Sequence, residues 1–293
     1  MTKTQPDILS AIPRVRQFLS LGLRPGADGK KALRQLQELK GNECVVLGVG
    51  EPLVRALGKT LLGLKTFPSM SGPGVAFPST QSALWLSLGG EDPGEVLHRA
   101  RRWLACIEES FHLDEEVAGF RYDIGRDLSG YEDGTENPKG DDALKTALIS
   151  GQGPGHDGGS FVAVQKWVHD LGRLDKLPAQ ERDYLVGRAH ESNEELVDAP
   201  ASAHVKRAAQ ESFAPPAFML RKSMPWGNAR EHGLYFVAYG ATFDAYERVL
   251  RRMAGLDDGV VDGLLQFSRA VSGGFYFCPP VHEGRYDLRA LGV

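Results

Sequence analysis

The segment Gly130-Tyr-Glu-Asp-Gly-Thr-Glu-Asn-Pro138 is the densest run of polar and turn-forming residues in the chain. Asp-Gly and Asn-Pro are turn signals, so its plain reading is a surface loop. A chemical reading stands beside it: Gly134 lets the backbone approach a ligand while Asp133 projects a carboxylate into a cavity. Arg221 ends a β-like run in Arg221-Lys-Ser-Met-Pro-Trp226. At a strand end in water it is only a solvated charge. Buried beside a carboxylate it is a permanent cation with a fixed fork of donors. The eight histidines form no HExxH or similar pair, so a multi-histidine metal site has little support. His204 is the centre of Ala-Ser-Ala-His-Val-Lys, and His169 has Asp170 as a local partner. Gly48-Val-Gly50 lacks the third glycine of a dinucleotide-binding turn.

The frame that must position these residues is constrained by composition. A chain of 293 residues has room for two domains of about 150 residues. Its 34 Lys+Arg against 38 Asp+Glu leave a net charge of −4, without the basic excess of a nucleic-acid binder. No apolar run approaches the ~20 residues that span a bilayer, and Met1 to Arg14 lacks the apolar stretch of a signal peptide. Cys44, Cys106 and Cys278 are scattered, so they suggest neither a disulfide framework nor a zinc knuckle. Cys106 in a helical pattern and Cys278 in an apolar strand read as buried thiols, and a reducing cytoplasm fits.

Periodicity predicts a helix over Lys30–Leu39, a buried strand over Cys44–Val49, a helix over Glu51–Leu62 and a loop over Gly63–Pro78. Further strands are expected from Ala83 and over Glu116–Asp123, with a helix over Gly94–Phe111 between them. In the second half, strands are expected over Ser160–Trp167, Ala217–Met224, Leu234–Tyr239 and Gly274–Cys278. Helices are expected over Gln180–Gly187 and Phe243–Met253. Interleaved strands and helices of this kind predict an α+β fold of two sandwiches, each a mainly antiparallel sheet with helices on one face. The glycine-rich stretch Gly151–Gly159 is the expected connection, dividing the chain into residues 1–150 and 151–293.

Taken together, the polar segments resemble the dye-decolourising peroxidases. Gly130-Tyr-Glu-Asp133-Gly134 matches the GxxDG signature of that family, extended as DGTENP in its bacterial members. GGSFVAVQKWVHDL (Gly158 to Leu171), VGR (Val186 to Arg188), AHVKR (Ala203 to Arg207), LRKSMPWG (Leu220 to Gly227) and EHGLYFVAYG (Glu231 to Gly240) follow in the family's order. LLQFSRAVSGGFYFCPP resembles its C-terminal strand. The resemblance covers Gly119 to Pro280, and the compact length is most similar to the class B members.

The resemblance implies two ferredoxin-like modules and one haem b per chain, bound mainly by the second module. It implies a peroxidase that reduces hydrogen peroxide and oxidises dyes or other small aromatic donors through a ferryl intermediate. His204 matches the proximal iron ligand, Asp262 the carboxylate behind it, Asp133 the distal acid and Arg221 the distal arginine. Leu234 and Phe236 match the apolar pair on the distal face, and Arg188, Glu136 and Asn137 fall where the family contacts haem propionates. Ser223 stands where close relatives carry Asn, which changes the distal hydrogen-bond network. Trp167, Trp226, Tyr235 and Tyr239 are candidates to relay electrons from bulky donors, although aromatics in strands are more often core. A cytoplasmic homo-oligomer is implied, without a membrane or nucleic-acid partner. The tail ending Leu291-Gly-Val293 carries no extended peptide for loading into a protein shell. Three other readings remain open at this stage: removal of iron from porphyrins, a haem carrier or sensor with weak peroxidase activity, and a cofactor-free binding module.

Overall fold

The computed structural model describes residues 2–39 and 44–292, so the terminal residues Met1 and Val293 of the segments considered above lie outside it. In the first half, strand β1 (Val15–Leu23) leads through helix α1 (Gly29–Glu38) to β2 (Val45–Gly50). Strand β3 (Leu84–Gly90) leads through α2 (Pro93–Ile107) to β4 (Phe111–Phe120). The helices start where the sequence supplies caps. Asp28 accepts from the Lys30 amide, and Asp92 from the Glu95 amide beside a proline in the first turn. Each then buries one stripe, Ala32, Leu33 and Leu36 on α1 and Val96, Ala100, Trp103 and Ile107 on α2.

The second half places β5 (Ser160–His169), β6 (Met224–Gly227), β7 (His232–Gly240) and β8 (Gly274–Cys278) in the same arrangement. Helix α3 (Ala179–Val186) lies in the long connection from β5 to β6, and α4 (Asp244–Met253) follows β7. In space each half runs fourth, first, third, second: β4-β1-β3-β2 and β8-β5-β7-β6. Every one of these pairings is antiparallel, as expected for the α+β fold.

The two sheets are not separate sandwiches. The edge of one half pairs with the edge of the other, β2 with β8 (Val49↔Phe277) and β4 with β6 (Gly119↔Trp226), so eight strands close into one barrel. Closure satisfies edge peptide groups that would otherwise need water or a partner. It also explains why β2 and β8 are buried at every residue, a pattern that a sheet with one wet face does not show. Phe18, Trp85, Val117, Tyr235, Tyr239 and Tyr276 fill the interior, with Phe18 stacked on Tyr235 at 4.1 Å between ring centroids. The Trp85 indole donates to the Tyr235 hydroxyl at 3.1 Å. The outer face, including Leu47, Leu86, Phe161 and Phe275, packs under the helices.

Several local expectations shift. The helix from Glu51 stops at Ala56, because Gly58 takes a left-handed φ of 67°. The expected loop over Gly63–Pro78 contains a small hairpin, Met70–Gly72 with Val75–Phe77. Helix α2 ends at Ile107 so that Phe111 can begin β4. The expected strand over Ala217–Met224 is instead the short strand Leu220–Arg221 on β7, followed by β6. Cys278 is buried, but Cys106 lies off the apolar stripe of α2 and is exposed. Among the described residues no helix is long and apolar enough to cross a membrane.

One end of the barrel holds buried charge. Arg16 and Asp7, each about 4% exposed, pair at 2.5 Å, and Arg16 also donates to the Ser87 hydroxyl at 2.7 Å. The Lys222 ammonium donates to the Asp7 carbonyl. Burial pushes this amine down to about 8 although Asp7 opposes the shift. Burial alone would raise the Asp7 carboxyl, yet the charge and hydrogen bond of Arg16 hold it below its ordinary value. Its stabilising effect is therefore complete above the unfolded carboxyl's pKa, ~3.9, and is lost as pH falls through the lowered folded value. Asp7→Asn should cost about 3–5 kcal/mol at pH 7, the typical loss for half of a buried ion pair. Urea unfolding at pH 7 and at successively lower pH checks this: the gap to the parent protein should narrow below about pH 4.

Candidate active site

The period-2 geometry of β5 turns Gln165, Trp167 and His169 to the outer face of the barrel, and that of β7 does the same for Leu234 and Phe236. The register Phe236↔Gln165 sets these rows side by side. Helix α4 crosses above with Tyr246, Val249, Leu250 and Met253, and a largely apolar cavity of about 80 Å3 lies between. His204, Asp133 and Arg221 reach this cavity from three separate segments. A recess of about 400 Å3 adjoins it, sharing those three residues and adding Glu136, Arg188 and Lys206. Another of about 370 Å3 shares Asp133, Arg221 and Leu234 and extends past Ser223 and Asn137 to Tyr122 and Arg126.

His204 begins the short helical turn His204–Arg207, and its Nδ1 lies 2.8 Å from Oδ2 of Asp262. Asp262 is 1% exposed, and its other oxygen accepts from the Leu264 amide at 2.8 Å. An ionised carboxylate can only accept, so Nδ1 of His204 carries the proton. In the neutral ring Nε2 then keeps its lone pair, and it has no protein partner among the described residues. Burial would lower the His204 pKa, but the charge and hydrogen bond of Asp262 raise it on balance. An imidazole oriented and enriched by a buried carboxylate is the usual form of a metal-ligating histidine.

Across the cavity, Arg221 sits on the short strand Leu220–Arg221, paired with Ala238 of β7. Its backbone is held twice by Asn137: the Arg221 amide donates to Oδ1 at 2.9 Å, and the Asn137 amide donates to the Arg221 carbonyl at 2.7 Å. The side chain of Asn137 therefore clamps the arginine's main chain, rather than presenting itself beside Arg188 and Glu136 in the recess. Gly134, at φ 73°, makes the turn between Asp133 and this clamp. Asp133 and Arg221 share the cavity wall without an ion pair between them among the described residues. Ser223 is buried, and its hydroxyl accepts only a long contact of 3.4 Å from the Val237 amide.

Arg188 bonds to Glu195 at 2.6 Å and to the Asn193 carbonyl at 2.8 Å, and lies 3.6 Å from the exposed Glu136. Leu234 and Phe236 line the cavity that His204 reaches, and Asp262 holds the Nδ1 of that histidine. Trp167 lines the cavity, whereas Trp226, Tyr235 and Tyr239 belong to the barrel interior. His169 pairs with Asp127 and Ser268, not with Asp170, whose carboxylate caps the next turn. Gln165, His169 and the α4 residues were not singled out from sequence as site residues. Strand alternation and the helical stripe marked their faces, but nothing in one sequence says that a face borders a cavity.

Among the described residues, four buried polar groups on the lining of this cavity have no partner: Nε of Arg221, Nε1 of Trp167, Nε2 of Gln165 and the Tyr246 hydroxyl. Orphaned buried donors are rare in native proteins and mark a place for an acceptor-bearing occupant. With one free imidazole nitrogen, apolar walls and cations at the mouth, the residues suit a flat metal complex with anionic side arms.

Comparison with known proteins gives a consistent result. The chain matches the family described as "Dyp-type peroxidase, C-terminal" over residues 125–283. It is 34% identical over 224 residues to a dye-decolorizing peroxidase of Mycobacterium tuberculosis, covering 74% of this chain and 67% of that protein. With the dye-decolorizing peroxidase of Brevibacterium linens it shares 29% identity over 300 residues, covering 94% and 81% respectively. Among solved structures, the dye-decolorizing protein from V. cholerae superposes with a TM-score of 0.84 at 28% identity, covering 94% of this chain and 96% of that one. A variant of DypB from Rhodococcus jostii RHA1 in complex with heme gives a TM-score of 0.84 at 30% identity, covering 93% and 94%.

Proposed function

Because this chain belongs to the Dyp-type peroxidase family, oxidoreductases that use peroxide, we propose that it holds one haem b against the outer face of β5 and β7 and reduces hydrogen peroxide there. His204 is the iron ligand in this reading, Asp133 the acid–base group and Arg221 the charge-stabilising group. The observation that carries it is the convergence of these residues on one cavity, with Nε2 of His204 unpartnered and Nδ1 committed to a buried carboxylate. The division into residues 1–150 and 151–293 is proposed on the same footing, supported by the strand order that recurs on either side of Gly151–Gly159.

Bound there, haem would supply the redox-active iron that passes electrons to peroxide and recovers them from the donor. The protein's own groups then manage protons and charge. Asp133 takes the proton from one peroxide oxygen and delivers it to the other, so that the departing oxygen leaves as water. Arg221, charged at any working pH, stabilises the negative charge that develops as the O–O bond breaks. Leu234 and Phe236 keep competing water from the cavity, and Asp262 makes the His204 imidazole a stronger electron donor. Overall, peroxide gains two electrons and two protons to give two waters, and two donor molecules each lose one electron and one proton.

His204→Ala should yield protein with little or abnormal Soret absorbance after haem loading, and an unchanged band would contradict the ligand assignment. Arg221→Leu should slow the peroxide-driven spectral change by about 10²–10³, the usual loss for one charge-stabilising donor. Asp133→Ala should slow it less, because among the described residues neither Arg221 nor Ser223 hydrogen-bonds its carboxylate to hold it as a base. Stopped-flow mixing ranks the two variants, and an Asp133 variant slower than the Arg221 variant refutes this division of labour. A small-dye assay separates the peroxidase from a haem carrier, which would bind haem with negligible turnover.

A further inference from the structure

A chain of three polar side chains, two buried and the third partly so, lies beside the proposed site. Ser268 Oγ is 2.7 Å from Nδ1 of His169, and Nε2 of His169 is 3.1 Å from Oδ2 of Asp127. The three residue types are those of a hydrolase's serine–histidine–aspartate triad, but the two ring nitrogens are exchanged. The surroundings exclude that chemistry: Ser268 is 3% exposed and paired with His169 itself across the short strand Ser268–Ala270, so no substrate carbonyl can reach its hydroxyl.

The network's connections give it a different role. Asp127 organises the turn that leads to Asp133. Its Oδ1 accepts from both the amide and the hydroxyl of Ser129, its amide donates to the Tyr131 carbonyl at 2.8 Å, and its carbonyl accepts from the Gly130 amide at 2.9 Å. Tyr131 and Glu132 tie the same loop to the long β5–β6 connection, through Asp183 at 2.6 Å and Asn193 at 3.0 Å. Asp127 ties it to a barrel strand, through a histidine whose ring lines the cavity and packs 5.8 Å from Phe267. Burial alone would raise the Asp127 carboxyl, but hydrogen bonds from His169 and Ser129 hold it below its ordinary value. As an ionised acceptor it takes the proton on Nε2 of His169, and Nδ1 bonds the Ser268 hydroxyl. The ring is thus fixed at both nitrogens, and it fixes the loop.

We infer that Asp127 and His169 are positioning residues, clamping the Asp133 loop to the wall of the cavity so that the carboxylate stands opposite His204. This rests on the peroxidase reading of the site, and it assigns the pair no contact with peroxide or haem. Catalysis tolerates little displacement: about 1 Å of misplacement can cost 10²-fold.

The test compares His169→Phe, which removes the donor to Asp127, with His169→Gln, whose amide nitrogen can reach the position of Nε2. Hydrogen exchange on the haem-free protein should show residues 125–137 exchanging about tenfold faster in His169→Phe, a local loss of roughly 1.4 kcal/mol. Residues 203–207 should stay protected, and His169→Gln should restore most of the loop's protection. In haem-loaded protein, His169→Phe should slow the reaction with peroxide about 10- to 100-fold with an unchanged Soret band. In an Asp133→Ala background the same change should have less than about a threefold effect, because a group acting through Asp133 loses its effect when Asp133 is gone. If His169→Phe does not fold, Asp127→Asn takes its place in both arms. Unchanged exchange over residues 125–137, equal opening of residues 203–207, or a full multiplicative loss in the Asp133→Ala background would each overturn the inference. A parent protein that binds haem yet does not react with peroxide would defeat the peroxidase reading instead, while the exchange arm would still decide the clamp.

Discussion

Each half of this protein forms a sheet with two edges of unpaired peptide groups, and the pairing of β2 with β8 and of β4 with β6 removes all four at once. Most other features follow from that closure. The inner faces of eight strands become a packed interior of aromatic rings, leaving no room there for a ligand. The outer faces must then be covered by helices and connections, and any cavity has to lie between the two layers. In the first half, α1 and α2 cover the sheet closely. In the second, the first crossover is the long connection from Asp170 to Ser223, whose helices are short, and the cavity lies where it and α4 meet the strands.

Within that gap the costly element is Asp262, a carboxylate almost wholly removed from water. Such a charge persists only when it is paired and hydrogen-bonded. His204 and the Leu264 amide meet the need, and the result is an imidazole with a fixed tautomer and one free nitrogen facing apolar walls. Opposite it, the loop carrying Asp133 and the strand carrying Arg221 are joined by the Asn137 amide. The two sides are thus built independently, the His204 side by a hydrogen bond to a buried carboxylate and the Asp133 and Arg221 side by a hydrogen-bonded loop. That separation lets a substitution in the Asp133 loop leave the His204–Asp262 pair intact.

Much of this was legible in the sequence, and the parts that were not share a physical cause. Strands and helices with strong periodicity, such as Ser160–His169 and Asp244–Met253, stand close to where periodicity placed them. The ordered motifs around Asp133, His204 and Arg221 brought three distant segments to one place. Barrel closure was invisible because a strand buried on both faces reads the same in an open or a closed sheet. His169 was assigned to its neighbour Asp170 because sequence shows only local partners. Asp127 and Ser268 become its partners through β-pairing and loop packing that no spacing encodes. The resemblance grouped Asn137 with the haem-propionate contacts, and no spacing shows that both ends of its side-chain amide meet the backbone of Arg221.

In the reading proposed above, His204, Asp133 and Arg221 surround a haem that reacts with peroxide. The most direct measurement is the absorption spectrum of the haem-loaded protein before and after one equivalent of hydrogen peroxide, followed by a small aromatic donor. The Soret band should change on mixing with peroxide and return when the donor is added. A protein that forms no Soret band, or one whose band peroxide leaves unmoved, would contradict that reading.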